Sequence, residues 1–116
     1  FQTAITYYRR ALAIFPNHSD AYGNLGFAYF NIGDIVQAEQ AYRASISLNP
    51  RAYNTLNNLG NLYLWMGKNA IRQAKNGHDY FEQASGFFLR SFQINPAYEK
   101  SKRGFQIAEQ LMRSVK

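Results

Sequence analysis

The sequence predicts an all-α fold in which short antiparallel helix pairs are repeated along the chain. Three observations carry that expectation. Proline recurs at Pro16, Pro50 and Pro96, at spacings of 34 and 46 residues. The same two intervals separate Ala4, Ala38 and Ala84, then Tyr8, Tyr42 and Phe88, then Ile14, Leu48 and Ile94. Between the prolines, apolar residues fall at three- and four-residue steps, the spacing of one helix face.

Residues 1–15 place Ala4, Ile5, Tyr8, Ala11, Leu12 and Phe15 on such a stripe, with Arg9 and Arg10 on the other side. Pro16 ends this helix, and Asn17, Ser19 and Asp20 offer turn and N-cap chemistry for the next. The first complete unit then runs as a helix from about Asp20 to Ile32, with Tyr22, Leu25, Gly26 and Tyr29 on its inner face. Gly33-Asp34 makes the turn, because glycine takes the left-handed backbone after a helix end and aspartate caps the next start. A second helix from about Ile35 to Leu48 presents Ala38, Tyr42, Ser45 and Leu48. Small residues at Gly26 and Ala38 let the two backbones approach, and Tyr29 and Tyr42 fill the space between turns. Such a pair buries its apolar faces only against neighbours.

The following unit repeats the first helix at a spacing of 34: Tyr22 becomes Leu56, Leu25 becomes Leu59, Gly26 becomes Gly60, Tyr29 becomes Tyr63 and Gly33 becomes Gly67. From Ala84 the spacing is 46, so twelve extra residues lie between Gly67 and Ala84, in or beside KNAIRQAKNGHD. Ala70, Ile71 and Ala74 have helical spacing, and Asn76-Gly77 is a strong breaker. The expected arrangement carries the helix through Gly67, at a cost of ~1 kcal/mol for the glycine, to about Lys75. The turn then falls at Asn76-Gly77-His78, with the next helix starting near Asp79. A separate short helix or a loop is the alternative. After Pro96, residues 97–116 form a last stripe with Phe105, Ala108, Leu111 and Met112. Its other face is polar, carrying Lys100, Lys102, Arg103, Arg113 and Lys116, as a capping helix requires.

This register divides one domain, 1–116, into a half repeat (1–16), a regular repeat (17–50), a repeat enlarged by about twelve residues (51–96) and a terminal capping helix (97–116). The opening FQTAITYYRR falls inside a second helix, so a longer parent protein is expected. With 47% hydrophobic residues the chain has enough apolar side chain for a core. It has no cysteine, which removes disulfides and thiolate metal sites and leaves the compartment open. The net charge of +6, from 13 Lys+Arg against 7 Asp+Glu, suits acidic partners, nucleic acid or an anionic membrane surface, but solubility charge on a helical surface is the preferred reading. The longest uncharged run, Ala52 to Gly67, is rich in asparagine and shorter than the ~20 apolar residues a membrane span needs. Membrane-surface contact is therefore expected only through partners or basic patches.

Catalytic chemistry finds no foothold. His18 and His78 are isolated, the seven carboxylates are scattered, and Gly67-Lys68 lacks the glycine-rich approach of a phosphate loop. No enzyme activity, cofactor or metal is expected. Lys68, Arg72, Lys75 and His78 form a basic group in the inserted segment, but no aromatic precedes Tyr80 there, so nucleic acid is not the expected partner.

A 34-residue helix-turn-helix unit carrying Tyr22, Leu25, Gly26, Tyr29, Ala38, Tyr42, Ser45 and Pro50 resembles the tetratricopeptide repeat family. The resemblance is strongest over 19–50, continues over 53–67 and 84–96, and fades in the last helix, where Gln106 stands in the place of Gly60. It implies a right-handed superhelical array of antiparallel helix pairs, a solenoid whose concave groove is lined by the first helix of each pair and binds peptides or protein surfaces. Carried onto this sequence, the groove positions are Asp20, Gly23, Asn24, Phe27, Phe30 and Asn31 in one unit. In the next they are Asn54, Asn57, Asn58, Asn61, Leu64 and Trp65, and in the last helix they include Lys100, Arg103, Gly104, Ile107, Gln110 and Leu111.

Asn24 and Asn58 sit one repeat apart, and each amide both donates and accepts, the chemistry that grips an extended peptide backbone. This looks like the asparagine ladder in the repeats of the O-linked N-acetylglucosamine transferase family. Phe27, Phe30, Leu64 and Trp65 add an apolar strip, and exposed aromatics are frequent interface anchors. Some family members clamp a C-terminal carboxylate with Lys and Asn from successive helices. Here Asn58, Lys100 and Arg103 are available, but Gly23 and Phe27 stand where the first Lys and Asn of that clamp belong. The expected function is a scaffold or assembly subunit that binds another protein or a peptide. The expected contact residues are Asn24, Phe27, Asn31, Asn54, Asn57, Asn58, Asn61, Trp65, Lys100 and Arg103. The alternative is a substrate-presenting module of a larger enzyme such as a glycosyltransferase.

Overall fold

The computed structural model describes residues 2–115; Phe1 and Lys116, the latter expected on the polar face of the last helix, lie outside the described residues. Among the described residues there are six α-helices and no strands: α1 (Gln2–Ile14), α2 (Ser19–Asn31), α3 (Ile35–Leu48), α4 (Tyr53–Arg72), α5 (His78–Ile94) and α6 (Glu99–Ser114). They fall into two compact units, Phe1–Thr55 and Leu56–Lys116.

In the first unit α1 packs on α2, and α2 on α3. Residue His18, rather than Asn17, Ser19 or Asp20, caps α2: its Nδ1 accepts from Ala21 N–H at 3.1 Å. Ser19 is drawn away because its hydroxyl donates to the Ser45 carbonyl at 3.0 Å. Gly33 closes α2 with φ +86°, in a Schellman turn where Gly33 N–H donates to Phe30 O at 3.0 Å and Asp34 N–H to Tyr29 O at 2.9 Å. Asp34 then caps α3 by accepting from Gln37 N–H at 3.2 Å. The two helices close on Gly26, where an added Cβ would stand 2.6 Å from the Tyr42 ring. Ala21, Leu25, Ala28, Tyr29, Ala38, Ala41 and Tyr42 form the core. Phe15 and Leu48, expected on the apolar stripes, lie at helix ends and are exposed, as is Ile14.

The second unit keeps that plan and lengthens it. Helix α4 runs without a break through Gly67 and stops at Arg72, three residues before the expected end. The stop is a second Schellman turn. Ala74 takes φ +59°, Ala74 N–H donates to Ile71 O at 2.9 Å and Lys75 N–H to Ala70 O at 2.8 Å. Asn76 Oδ1 accepts from His78 N–H at 2.7 Å, and α5 begins there. Compared with the first unit, α4 is seven residues longer than α2, α5 is three longer than α3, and the connection is two longer, which accounts for the twelve extra residues.

What is a turn in one unit is therefore a helix–helix contact in the other. Gly33 and Ile35 flank a single residue, whereas their equivalents Gly67 and Phe81 face each other across the hairpin. A Cβ on Gly67 would stand 2.5 Å from the Phe81 ring, and one on Gly60 would stand 2.6 Å from the Phe88 ring. The two contacts are seven residues apart on both helices. Gly77 lies against the backbone of Gly67, and Tyr63 stacks on Tyr80 and Phe87 with centroids 6.3 and 5.3 Å away. Helix α6 packs on α5, with Gly104 against the same Phe88 ring. Leu56, Leu59, Leu62, Phe81, Ala84, Phe88 and Ala108 are fully buried.

Candidate functional site

A buried hydroxyl pair recurs in each unit and shows which polar residues serve the fold. In the first, Ser45 Oγ lies 3.0 Å from Thr55 Oγ1 and 3.1 Å from Ser19 Oγ. In the second, Ser91 Oγ lies 2.5 Å from Ser101 Oγ, and the Ser101 hydroxyl donates to Asn57 Oδ1 at 3.2 Å. Ser91 and Ser101 follow Ser45 and Thr55 at the spacing of 46. Asn57, expected to face a partner, is only 4% exposed and belongs to this internal network. Its first-unit equivalent is Gly23, where a Cβ would crowd Thr55 Oγ1 at 2.8 Å. Leu64 is likewise buried rather than presented.

The other expected contact residues of α4 lie at the surface. In the second unit Leu56, Leu59, Gly60, Tyr63, Gly67 and Ala70 turn inward, while half-buried Asn58 and exposed Asn61, Trp65, Lys68 and Arg72 follow one line at steps of three and four. Trp65, the chain's only tryptophan, is 40% exposed. Lys68 and Arg72 continue this line beyond the residues expected from sequence; the three- and four-residue steps through the insertion were the available signal. Lys100 and Arg103 are exposed on α6, either side of the buried Ser101 that is bonded to Asn57.

In the first unit Asn24, Phe27 and Asn31 occupy the equivalent line on α2 and are all exposed, Phe27 by half. Asn31 Nδ2 donates to Phe27 O at 2.9 Å, so its amide is partly engaged within the helix. Asn54 is exposed, and its Oδ1 accepts from Thr55 N–H at 3.0 Å. An open hollow of about 550 Å³ lies elsewhere in this unit, lined by Ile14, Phe15, Pro16, His18, Asp20 and Asn49. Asn17 and Ser19 complete its lining.

Titratable chemistry is sparse. Burial pushes the Tyr42 hydroxyl well above its ordinary value of 10.0, and the hydroxyls of Tyr42 and Tyr29 are buried without hydrogen-bond partners among the described residues. His78, Asp79 and Glu82 are the only group among the described residues whose donor atoms come close enough for a metal, all within 4.8 Å. Asp79 and Glu82 are exposed, and His78 Nδ1 lies 4.0 and 3.9 Å from their carboxylates, as in a surface ion pair on the first turn of α5.

Successive helix pairs, each closed by a glycine against an aromatic ring, define a helical-repeat protein. The tetratricopeptide repeat family model matches residues 7–40. Among solved structures, the MamA protein superposes with a TM-score of 0.79 at 21% identity, over 97% of this chain and 56% of that one. The first tetratricopeptide repeat domain of Spaghetti (RPAP3), bound to the HSP90 peptide SRMEEVD, superposes with a TM-score of 0.77 at 16% identity, over 94% of this chain and 77% of that one. No curated protein sequence matches the chain. The fold is that of tetratricopeptide-repeat structures, and the chain spans little more than half the length of MamA.

Proposed function

We propose that the chain is a protein-interaction module that takes an extended segment or a subunit surface of another protein on the exposed line of α4. One observation carries this reading: α4 is covered along its core-facing side, and its exposed line holds amides and the chain's only tryptophan. Asparagine amides match a peptide main chain, which offers both donors and acceptors, and Trp65 supplies a flat apolar anchor. Lys100 and Arg103 on α6 add charge for the partner's acidic groups, and Asn24, Phe27 and Asn31 on α2 repeat the polar and aromatic pattern. Peptide binding by a structural neighbour is in keeping with this role.

The test is selection of short peptides from a displayed library on the intact chain, followed by affinity measurement with variants. Asn58→Ala with Asn61→Ala, and separately Trp65→Ala, should each weaken the selected peptides by roughly tenfold or more, with the helical circular dichroism unchanged. Peptides that bind all three proteins equally would overturn the reading.

A further inference from the structure

The charge of this chain is unevenly placed. Residues 1–55 hold four Lys+Arg and three Asp+Glu, whereas residues 56–116 hold nine and four, so +5 of the net +6 belongs to the second unit. No acidic residue occurs from Gln40 to His78, a stretch that contains all of α4. The exposed line of α4 thus passes from amides at Asn58 and Asn61, through Trp65, to Lys68 and Arg72, with exposed Lys75 just past the helix end. None of these three bases makes an ion pair among the described residues. The next carboxylates along the chain, Asp79 and Glu82, lie close to His78.

We propose that this line selects an acidic peptide segment, with the amides holding its main chain and Lys68, Arg72 and Lys75 holding side-chain carboxylates at one end. The inference rests on the peptide-binding reading above and adds the partner's chemistry. The bases come from the longer part of α4 and its connection, so selection is a property of this chain's enlarged hairpin. Asn58 and Arg72 are ~21 Å apart along the helix, the reach of about six or seven extended residues.

Two other anionic partners fit less well. A nucleic acid backbone presents only acceptors, so the carbonyl oxygens of Asn58 and Asn61 would have no donor to meet, and one aromatic makes a poor stacking platform. An anionic membrane would have to desolvate the same amides to reach Trp65.

The intact chain supports a direct test, because Trp65 is the sole tryptophan and its fluorescence reports this surface. The probes are a peptide of about seven residues alternating Glu and Asp with Leu and Ala, its Gln and Asn counterpart, its Lys counterpart, an oligothymidylate, and phosphatidylserine vesicles. The acidic peptide should bind roughly tenfold more tightly than the amide peptide, an advantage that fades as salt rises. Lys68→Glu with Arg72→Glu should transfer the preference to the Lys peptide, a gain that a misfolded variant cannot show. Equal binding of acidic and amide peptides, both weakened by Asn58→Ala, would overturn acidic selection and leave the peptide-binding reading standing. Failure of every peptide would overturn both, and tighter binding of the oligonucleotide or the vesicles would overturn the acidic-peptide assignment.

Discussion

Gly67 lies under the ring of Phe81, in the middle of α4, although its first-unit equivalent, Gly33, ends a helix. Helix propensity alone favours alanine at such a position by ~1 kcal/mol, but a Cβ here would meet the ring at 2.5 Å. Gly67→Ala should therefore lower stability by about 1–2 kcal/mol, with overpacking outweighing propensity. Gly86, inside α5 and with nothing within 4 Å of an added Cβ, is the matched control. Gly86→Ala should raise stability by about 0.5–1 kcal/mol. Urea unfolding of the two variants checks both signs.

Ala74 holds φ +59° without glycine's freedom. The left-handed backbone costs an alanine about 1 kcal/mol or more, so Ala74→Gly should stabilise the hairpin by about 1 kcal/mol or slightly less. Gly33→Ala should destabilise the first unit by a similar amount, since Gly33 holds the same turn position at φ +86°. Thermal melts of the pair give the comparison.

Tyr42 brings a hydroxyl into the core without a partner, while Phe88 fills the equivalent place in the second unit with none. Tyr42→Phe should be neutral or stabilising by up to about 1 kcal/mol, because it removes an unsatisfied polar group and leaves the packing intact. The folded protein holds the phenol proton above its ordinary value of 10.0, and the unfolded chain releases it there. The unfolded state thus binds fewer protons above that pH, and stability falls as pH rises through this window. Denaturant unfolding across the alkaline range should show that fall in the parent and a smaller one in Tyr42→Phe.

Asn57 and Ser101 belong to the folding network, not to the contact line. Asn57→Ala or Ser101→Ala should each cost about 1–3 kcal/mol by leaving buried partners unsatisfied. Peptide affinity of the folded protein should remain at the parent value, in contrast to the Asn58→Ala, Asn61→Ala pair. Unfolding and Trp65 titration on the same samples separate the two roles.

Much of this was legible because repetition is a long-range signal. The spacings of 34 and 46 placed the helices, the Gly33 turn and the continuous helix through Gly67. The end of α4 was misplaced because Asn76-Gly77 is a conspicuous breaker, whereas nothing in the identity of Ala74 announces a left-handed residue. Position alone puts Asn57 among the partner-facing residues. Its side chain turns inward because the hydroxyl pair behind it needs a partner, which the first unit supplies from Ser19 over Gly23. Sequence alone groups Lys68 and Arg72 with the insertion; in the continuous α4 they are the far end of the line through Asn58, Asn61 and Trp65. The surface itself was therefore half visible, since exposure follows from helix phase but the length of the helix decides which residues share a face.

The advance from Gly60 and Phe88 to Gly67 and Phe81 also bears on how such a hairpin changes over evolutionary time. Seven residues make nearly two helical turns, so growth by that increment brings the same side of each helix back into contact. An increment of one or two residues would swing the interface by ~100° for each and place charged side chains where rings now sit. A hairpin of this kind therefore repeats its glycine–ring contact at seven-residue steps, as Gly60 with Phe88 and Gly67 with Phe81 do.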